Sequence, residues 1–285
     1  MTSDPRSPHF GDRLAALVQE RGPICAGVDP RPDLLPEGLD AAAWAEQVGH
    51  LLGGRVAALK PQLAFFADEW PGPERCARAG AQAGGALAIA DCKRGDIGST
   101  AQAYAERILG PRSPFDAATL NPWLGADALR PFVDVAAAQG KGLFVLVHTS
   151  NPGAADLQGL TLEGGERVYE RAARLVDALG RPHVGAAGLS LVGAVVGLTV
   201  DPAVVARLRQ LMPHAPLLMP GYGAQGGDPA ALEAARTADG GGVLVSASRS
   251  LTLPWKGAAP RDWREQVLAA LAAMQGELRG PADRG

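Results

Sequence analysis

Eight short apolar runs divide the chain, and the segments between them are long enough to be helices. The runs are ICAGVD (24–29), RVAALK (55–60), ALAIADCK (86–93), FDAATL (115–120), GLFVLVH (142–148), GAVVGL (193–198), PLLMP (216–220) and GVLVSA (242–247). Continuous apolar runs of this length are what strands buried on both faces look like. The stretches 12–22, 73–84, 165–180, 201–212 and 229–238 are amphipathic or Ala-rich and read as helices. Parallel strands need such crossovers. Eight strand–helix units in 285 residues therefore predict an α/β fold, a (β/α)8 TIM barrel forming one domain over 1–285. A doubly wound open sheet is the alternative, but it calls for a Gly-rich turn after the first strand, where GVDPRP stands instead. The only repeat is the strand–helix rhythm, and there is no linker. The end, near 276–285, reads as a polar tail, and the Gly-rich segment 180–190 is left unassigned.

Composition narrows the function classes. Apolar residues make up 47% of the chain, enough for a core of this size, and a net charge of -3 gives no sign of a nucleic-acid or membrane-surface partner. The N-terminus has no basic start followed by an apolar stretch, and no uninterrupted apolar run reaches about 18 residues. A cytoplasmic protein without signal peptide or membrane span is expected. Cys25, Cys76 and Cys92 lack metal-ligand spacing and read as reduced structural thiols. The chain holds only four lysines, Lys60, Lys93, Lys141 and Lys256, so a lysine in an unusual place carries weight.

Two of those lysines fall at strand ends. The first run ends in Asp29, the second in Lys60, and the third in Asp91 and Lys93; the fifth ends in His148, followed by Thr149 and Ser150. In a barrel, the C-terminal ends of the strands form the active-site face. Residues two apart on a strand point the same way, so Asp91 and Lys93 share a face and Cys92 takes the other. Asp96 lies past the strand, in a loop that can reach outward. A solvated loop or a structural ion pair would also account for these charges. His148 stands without a second ligand at metal spacing and reads as a hydrogen-bonded structural histidine.

The stretch DCKRGDIGSTAQAYA (91–105) resembles the signature of the orotidine 5′-monophosphate decarboxylase family, and its longer bacterial subgroup is the closer match. The resemblance extends over nearly the whole chain, through CAGVDPRPDLLP (25–36), LKPQLAFF (59–66), NPWLGADAL (121–129), LVHTSNPGAADLQ (146–158), GAVVGLT (193–199), PGYGAQGG (220–227) and SASRSL (246–251). Trp123 departs from the pattern, since the subgroup often has another aromatic there.

The resemblance implies a cofactor-free, metal-free decarboxylase of orotidine 5′-monophosphate, working as a homodimer with shared active sites. Lys93 would be the cation and proton donor, joined by Lys60, Asp91 and Asp96 in an alternating charged network. Asp96 would be supplied to the neighbouring subunit's site, and Thr100 with it would touch the partner's ribose. Asp29 and Lys60 would hold ribose hydroxyls, and Ser150 would read the pyrimidine amide edge. Pro220, Gly221, Gln225 and Arg249 would form the phosphate side, where glycines let backbone amides approach a dianion. Three other classes compete: a magnesium-dependent sugar-phosphate lyase sharing Asp91, Lys93 and Asp96, a Schiff-base aldolase using Lys60 or Lys93, and a non-catalytic nucleotide binder.

Overall fold

A computed structural model describes residues 9–67, 70–223 and 226–278. Its centre is a closed barrel of parallel strands in chain order: β1 (Ile24–Val28), β2 (Ala58–Pro61), β3 (Leu87–Arg94), β4 (Ala117–Leu120), β5 (Gly142–His148), β6 (Val192–Val196), β7 (Leu217–Pro220) and β8 (Val243–Ala247). β8 closes on β1 through the register Ile24↔Val245, Cys25↔Ser246 and Ala26↔Ala247. The eight runs read from the sequence are these eight strands. β1, β2, β4, β6 and β8 are buried along their whole length, because helices cover one face and the packed interior the other.

The helices are α1 (Phe10–Arg21), α2 (Ala41–Leu52), α3 (Pro71–Gly84), α4 (Gly98–Leu109), α5 (Ala126–Gln139), α6 (Ala154–Leu157), α7 (Val168–Gly180), α8 (Pro202–Leu211), α9 (Pro229–Ala235), α10 (Arg249–Thr252) and α11 (Trp263–Leu278). Their starts are written locally. Asp40 caps α2 by accepting from Ala43 N at 2.7 Å, and Asp201 and Asp228 cap α8 and α9 ahead of a proline at the first helical position. The side-chain oxygen satisfies an otherwise orphaned amide, and proline loses nothing there. α11 runs through Leu278, three residues into the stretch read as a polar tail. No helix among the described residues is long and apolar enough to cross a membrane.

The unassigned segment 180–190 lies at the N-terminal end of the barrel, ahead of β6. A short 3-10 turn (Arg181–His183) leads into an antiparallel bridge between Val184 and Ser190. α1 lies on it: Ala187 N donates to Asp12 Oδ1 at 2.7 Å, and His9 Nε2 meets the His183 carbonyl at 2.9 Å. From α1, Phe10 packs edge-on to Phe144 of β5, with 6.0 Å between centroids. The strand-end charges gather at the opposite, C-terminal end.

Candidate active site

Among the described residues the buried charged side chains are Lys60 and Asp91, and they are bonded to each other. Lys60 Nζ, from the end of β2, lies 2.6 Å from Asp91 Oδ2 on β3. Lys93 Nζ lies 2.6 Å from the other oxygen, Asp91 Oδ1. One carboxylate thus bridges two ammoniums. Their exposures differ: the Lys60 side chain is 9% accessible and that of Lys93 46%. Lys93 is the cation that a molecule in the barrel mouth can reach.

Burial opposes charge on both partners of the inner pair, and the pairing overrules it. Burial alone would push the Asp91 carboxyl up, but Lys60 and then Lys93 hold it well below the usual carboxylate range. Burial alone would push the Lys60 ammonium down, but Asp91 and then Asp29 hold it above the usual lysine range. Both groups remain ionised at neutral pH.

The strand does not stay regular through this centre. From Ala90 to Arg94, β3 advances four residues while β4 advances two, from Ala118 to Leu120. Lys93 sits in this bulge with φ +46°, the one non-glycine residue with positive φ among the described residues. The sequence reading places Asp91 and Lys93 on one face by simple alternation; in the structure they meet within a bulge. Opposite it stands Thr119 of β4, buried to 1% exposure. Its hydroxyl donates to Asp91 Oδ1 at 2.9 Å and accepts from Cys92 N at 3.0 Å and Lys93 N at 2.9 Å. Sequence reading passed over Thr119. The available signal was a hydroxyl standing in the apolar run beside the DCK strand end.

Asp29, just past β1, is half-buried, and its Oδ1 is a buried oxygen with no hydrogen-bond partner. Such an atom carries a desolvation cost that a ligand hydroxyl would relieve. Asp96 is half-buried beyond β3, and its Oδ1 accepts from Ile97 N at 2.8 Å. The ion pair of Lys93 is with Asp91, and among the described residues no ion pair joins Asp96 to the bridged centre. Thr100 is exposed in the first turn of α4. The adjoining loop after β4 is tied to the same strand end by Asn121 N donating to the Arg94 carbonyl at 2.8 Å. Around these two loops, Ile97, Trp123 and Leu124 are 60%, 68% and 45% exposed.

The opposite rim is formed by the loops after β7 and β8. Pro220 ends β7, and its carbonyl accepts from Leu198 N at 2.8 Å. Gly221 follows with φ 123° and Gly223 with φ 78°, both in the region that side chains rarely adopt. A Cβ on Gly223 would come 2.8 Å from Ser250 Oγ, so the loop lies directly against α10. Arg249 is exposed at the first residue of α10. α10 is in turn fixed to β1: Thr252 Oγ1 donates to the Gly27 carbonyl at 2.8 Å, and Ser248 fills the space where Gly27 lacks a side chain. Gln225 lies outside the described residues. Tyr222, between the two glycines, turns its hydroxyl to Glu277 of α11.

Ser150 follows β5 and lies against the end of β6, with its Cβ 3.0 Å from where a Cβ on Gly197 would stand. The preceding Thr149 is clamped by Gln158, whose Oε1 accepts from Thr149 N and whose Nε2 donates to Thr149 Oγ1, each at 2.9 Å. His148 Nδ1 meets the Thr149 carbonyl at 3.3 Å, and its ring packs on Tyr169, 4.9 Å between centroids. Burial pushes the His148 imidazole below its ordinary value. The three cysteines are free, and burial pushes the thiols of Cys25, Cys76 and Cys92 up to about 12. Such thiols are inert near neutrality.

Residues 22–253 match the model of the orotidine 5′-phosphate decarboxylase / HUMPS family. Among curated proteins, the orotidine 5′-phosphate decarboxylase of Rhodopirellula baltica is 39% identical, with 95% of this chain and 99% of the relative covered. That of Deinococcus radiodurans is 42% identical, with 95% and 99% covered. Among solved structures, a putative orotidine 5′-phosphate decarboxylase from Streptomyces avermitilis superposes with a TM-score of 0.79 at 34% identity, covering 95% of each chain.

Proposed function

This chain belongs to the orotidine 5′-phosphate decarboxylase / HUMPS family, and we propose that it converts orotidine 5′-monophosphate to uridine 5′-monophosphate and carbon dioxide, a step of pyrimidine synthesis. The observation that carries the reading is the division of labour between the two lysines on Asp91: one buried, one open to the barrel mouth.

The chemistry follows from that division. The bond between the pyrimidine ring and its carboxylate breaks, carbon dioxide leaves, and the electron pair stays on an sp² ring carbon. Lys93 places a positive charge beside that carbon and then gives it a proton; the resulting amine is reprotonated from water. An arginine would bring charge but could not readily release the proton. Asp91 holds the ammonium in place from one oxygen, and Lys60 neutralises the other. The buried, unpartnered Asp29 Oδ1 suits a ribose hydroxyl, with Lys60 beside it. Ser150 faces the pyrimidine amide edge. Pro220, Gly221, Gln225 and Arg249 take the phosphate; the planar fork of arginine suits its oxygens. No metal or organic cofactor takes part.

Asp96 and Thr100 complete the neighbouring subunit's site in a cytoplasmic homodimer. The exposed Ile97, Trp123 and Leu124 support this, since apolar side chains clustered around a polar loop mark a surface meant to be covered.

The deciding experiment follows the ultraviolet absorbance of orotidine 5′-monophosphate incubated with the protein in EDTA. Loss of the substrate chromophore and appearance of uridine 5′-monophosphate are expected. Unchanged substrate after prolonged incubation with folded protein would sink the reading.

A further inference from the structure

Thr119 joins the two features of the site that ordinary strand geometry would not produce. One is the left-handed backbone at Lys93, φ +46°. A side chain in that region is strained and persists only where the surroundings over-determine it. The other is the orientation of Asp91, which must present one oxygen to each lysine.

A single hydroxyl serves both. It has one proton to donate and two lone pairs to accept with. The proton goes to Asp91 Oδ1, and the lone pairs take the amides of Cys92 and Lys93, the two consecutive residues of the bulge. All of its hydrogen-bonding capacity is used. Thr119 is 1% exposed and sits on β4, a strand of four residues buried throughout, so the anchor itself is fixed. The strand register agrees: the slip between β3 and β4 falls between Ala118 and Leu120, at Thr119 itself.

We propose that Thr119 is a positioning residue for decarboxylation: its hydroxyl holds the left-handed bulge that directs Lys93 to the reacting ring carbon. This rests on the reading of Lys93 as the proton donor. Valine is nearly the same shape but has no hydroxyl. It would leave the two amides without their partner and free the bulge to relax toward regular strand, carrying Nζ away from the carbon.

The test compares steady-state turnover of orotidine 5′-monophosphate and inhibition by uridine 5′-monophosphate in the parent, Thr119→Val, Thr119→Ser and Lys93→Ala. Thr119→Val should lower kcat about 10²-fold, the loss expected of a reacting group misplaced by an ångström, while inhibition by the product stays within about threefold. Thr119→Ser keeps the hydroxyl and should recover most of the turnover. Thr119→Ala replaces Thr119→Val in the comparison if the latter does not fold. A folded variant without the hydroxyl whose kcat stays near the parent's overturns the proposal. So does an equal loss in Thr119→Ser, which would make the methyl group responsible. If Lys93→Ala is inactive and Thr119→Val is not, only the positioning role falls. If Lys93→Ala turns over normally, the assignment of Lys93 falls and this proposal with it.

Discussion

Lys93 Nζ lies 2.6 Å from Asp91 Oδ1, and Asp91 takes a second ammonium on its other oxygen, so the reachable lysine is held by a carboxylate that is itself buried and neutralised from behind. Removing Lys93 should therefore cost chemistry and little else. If Lys93 is the proton donor, as proposed, Lys93→Ala loses donor and cation together, and turnover should fall by at least about 10⁴-fold. The side chain is 46% accessible, so the melting temperature should stay close to the parent's. Steady-state assays with a thermal melt check both; turnover within tenfold of the parent would refute the role.

Removing Asp91 should cost stability as well. The Lys60–Asp91 pair is buried, and taking away one partner of such a pair leaves an uncompensated charge, a loss of about 3–5 kcal/mol. The sign of the pH dependence follows from Asp91 being held below its ordinary 3.8. A depressed carboxylate contributes in full above its unfolded value and is lost only as pH falls through the native one. Urea unfolding of Asp91→Asn at pH 5 and pH 7 should show the same deficit at both. A deficit under 1 kcal/mol would mean that the pair is solvated rather than buried.

How far the sequence revealed this site depends on how each part is encoded. The strands were legible because burial on both faces leaves unbroken apolar runs, and all eight fall within the observed barrel. Lys60, Asp91 and Lys93 were legible because charge at the end of such a run is conspicuous. Thr119 was not: in AATL a threonine looks like any β-branched residue filling a strand. The bulge was hidden for a related reason, since its left-handed residue is a lysine and the usual marker is glycine. Segment 180–190 has no periodicity of its own. Its structure is set by contacts with His9 and Asp12, more than 170 residues earlier in the chain.

The N-terminal end of the barrel carries a lysine with the opposite electrostatic sense. Lys141 Nζ donates to the carbonyls of Gly110 at 3.1 Å and Ser113 at 2.9 Å. Burial pushes its ammonium down to about 8; Asp116 opposes this and Arg13 adds to it. The native state releases this proton near pH 8, and the unfolded chain near its ordinary 10.5. Between those values the unfolded chain binds more protons, so Lys141 makes stability rise with pH. Lys141→Met removes that titration. The parent should gain stability relative to the variant between pH 7 and pH 10 in urea unfolding, with other titrating groups cancelling in the difference. A constant difference would show that Lys141 titrates normally.

Arg249 tests the phosphate side. It stands exposed at the start of α10, beside the glycine-rich loop. Hydrogen bonds to a charged group are worth about 1.5–3 kcal/mol, so Arg249→Ala should lower kcat/KM for the nucleotide about 10- to 100-fold. The nucleoside orotidine lacks the phosphate, and its slow turnover should be unchanged by the substitution. An equal loss on both substrates would place Arg249 outside the phosphate site.

Asp96 tests whether each site is built from two chains. Its carboxylate lies past β3 and bonds to its own loop at Ile97 N, while Lys93 pairs with Asp91 of the same chain. The loop is bordered by the exposed Ile97 and Trp123, a surface suited to a second copy. If Asp96 serves the partner's site, Lys93→Ala and Asp96→Ala homodimers should each be nearly inactive. Mixing them lets heterodimers form by exchange. In a heterodimer one site carries both lesions and the other carries neither, as a two-fold symmetric interface requires. The intact site should restore activity to about one half per heterodimer. If both residues served one chain's own site, every site in the mixture would carry a lesion. Absence of rescue, with exchange confirmed by differently tagged chains, would rule out the shared site and assign Asp96 to the site of its own chain.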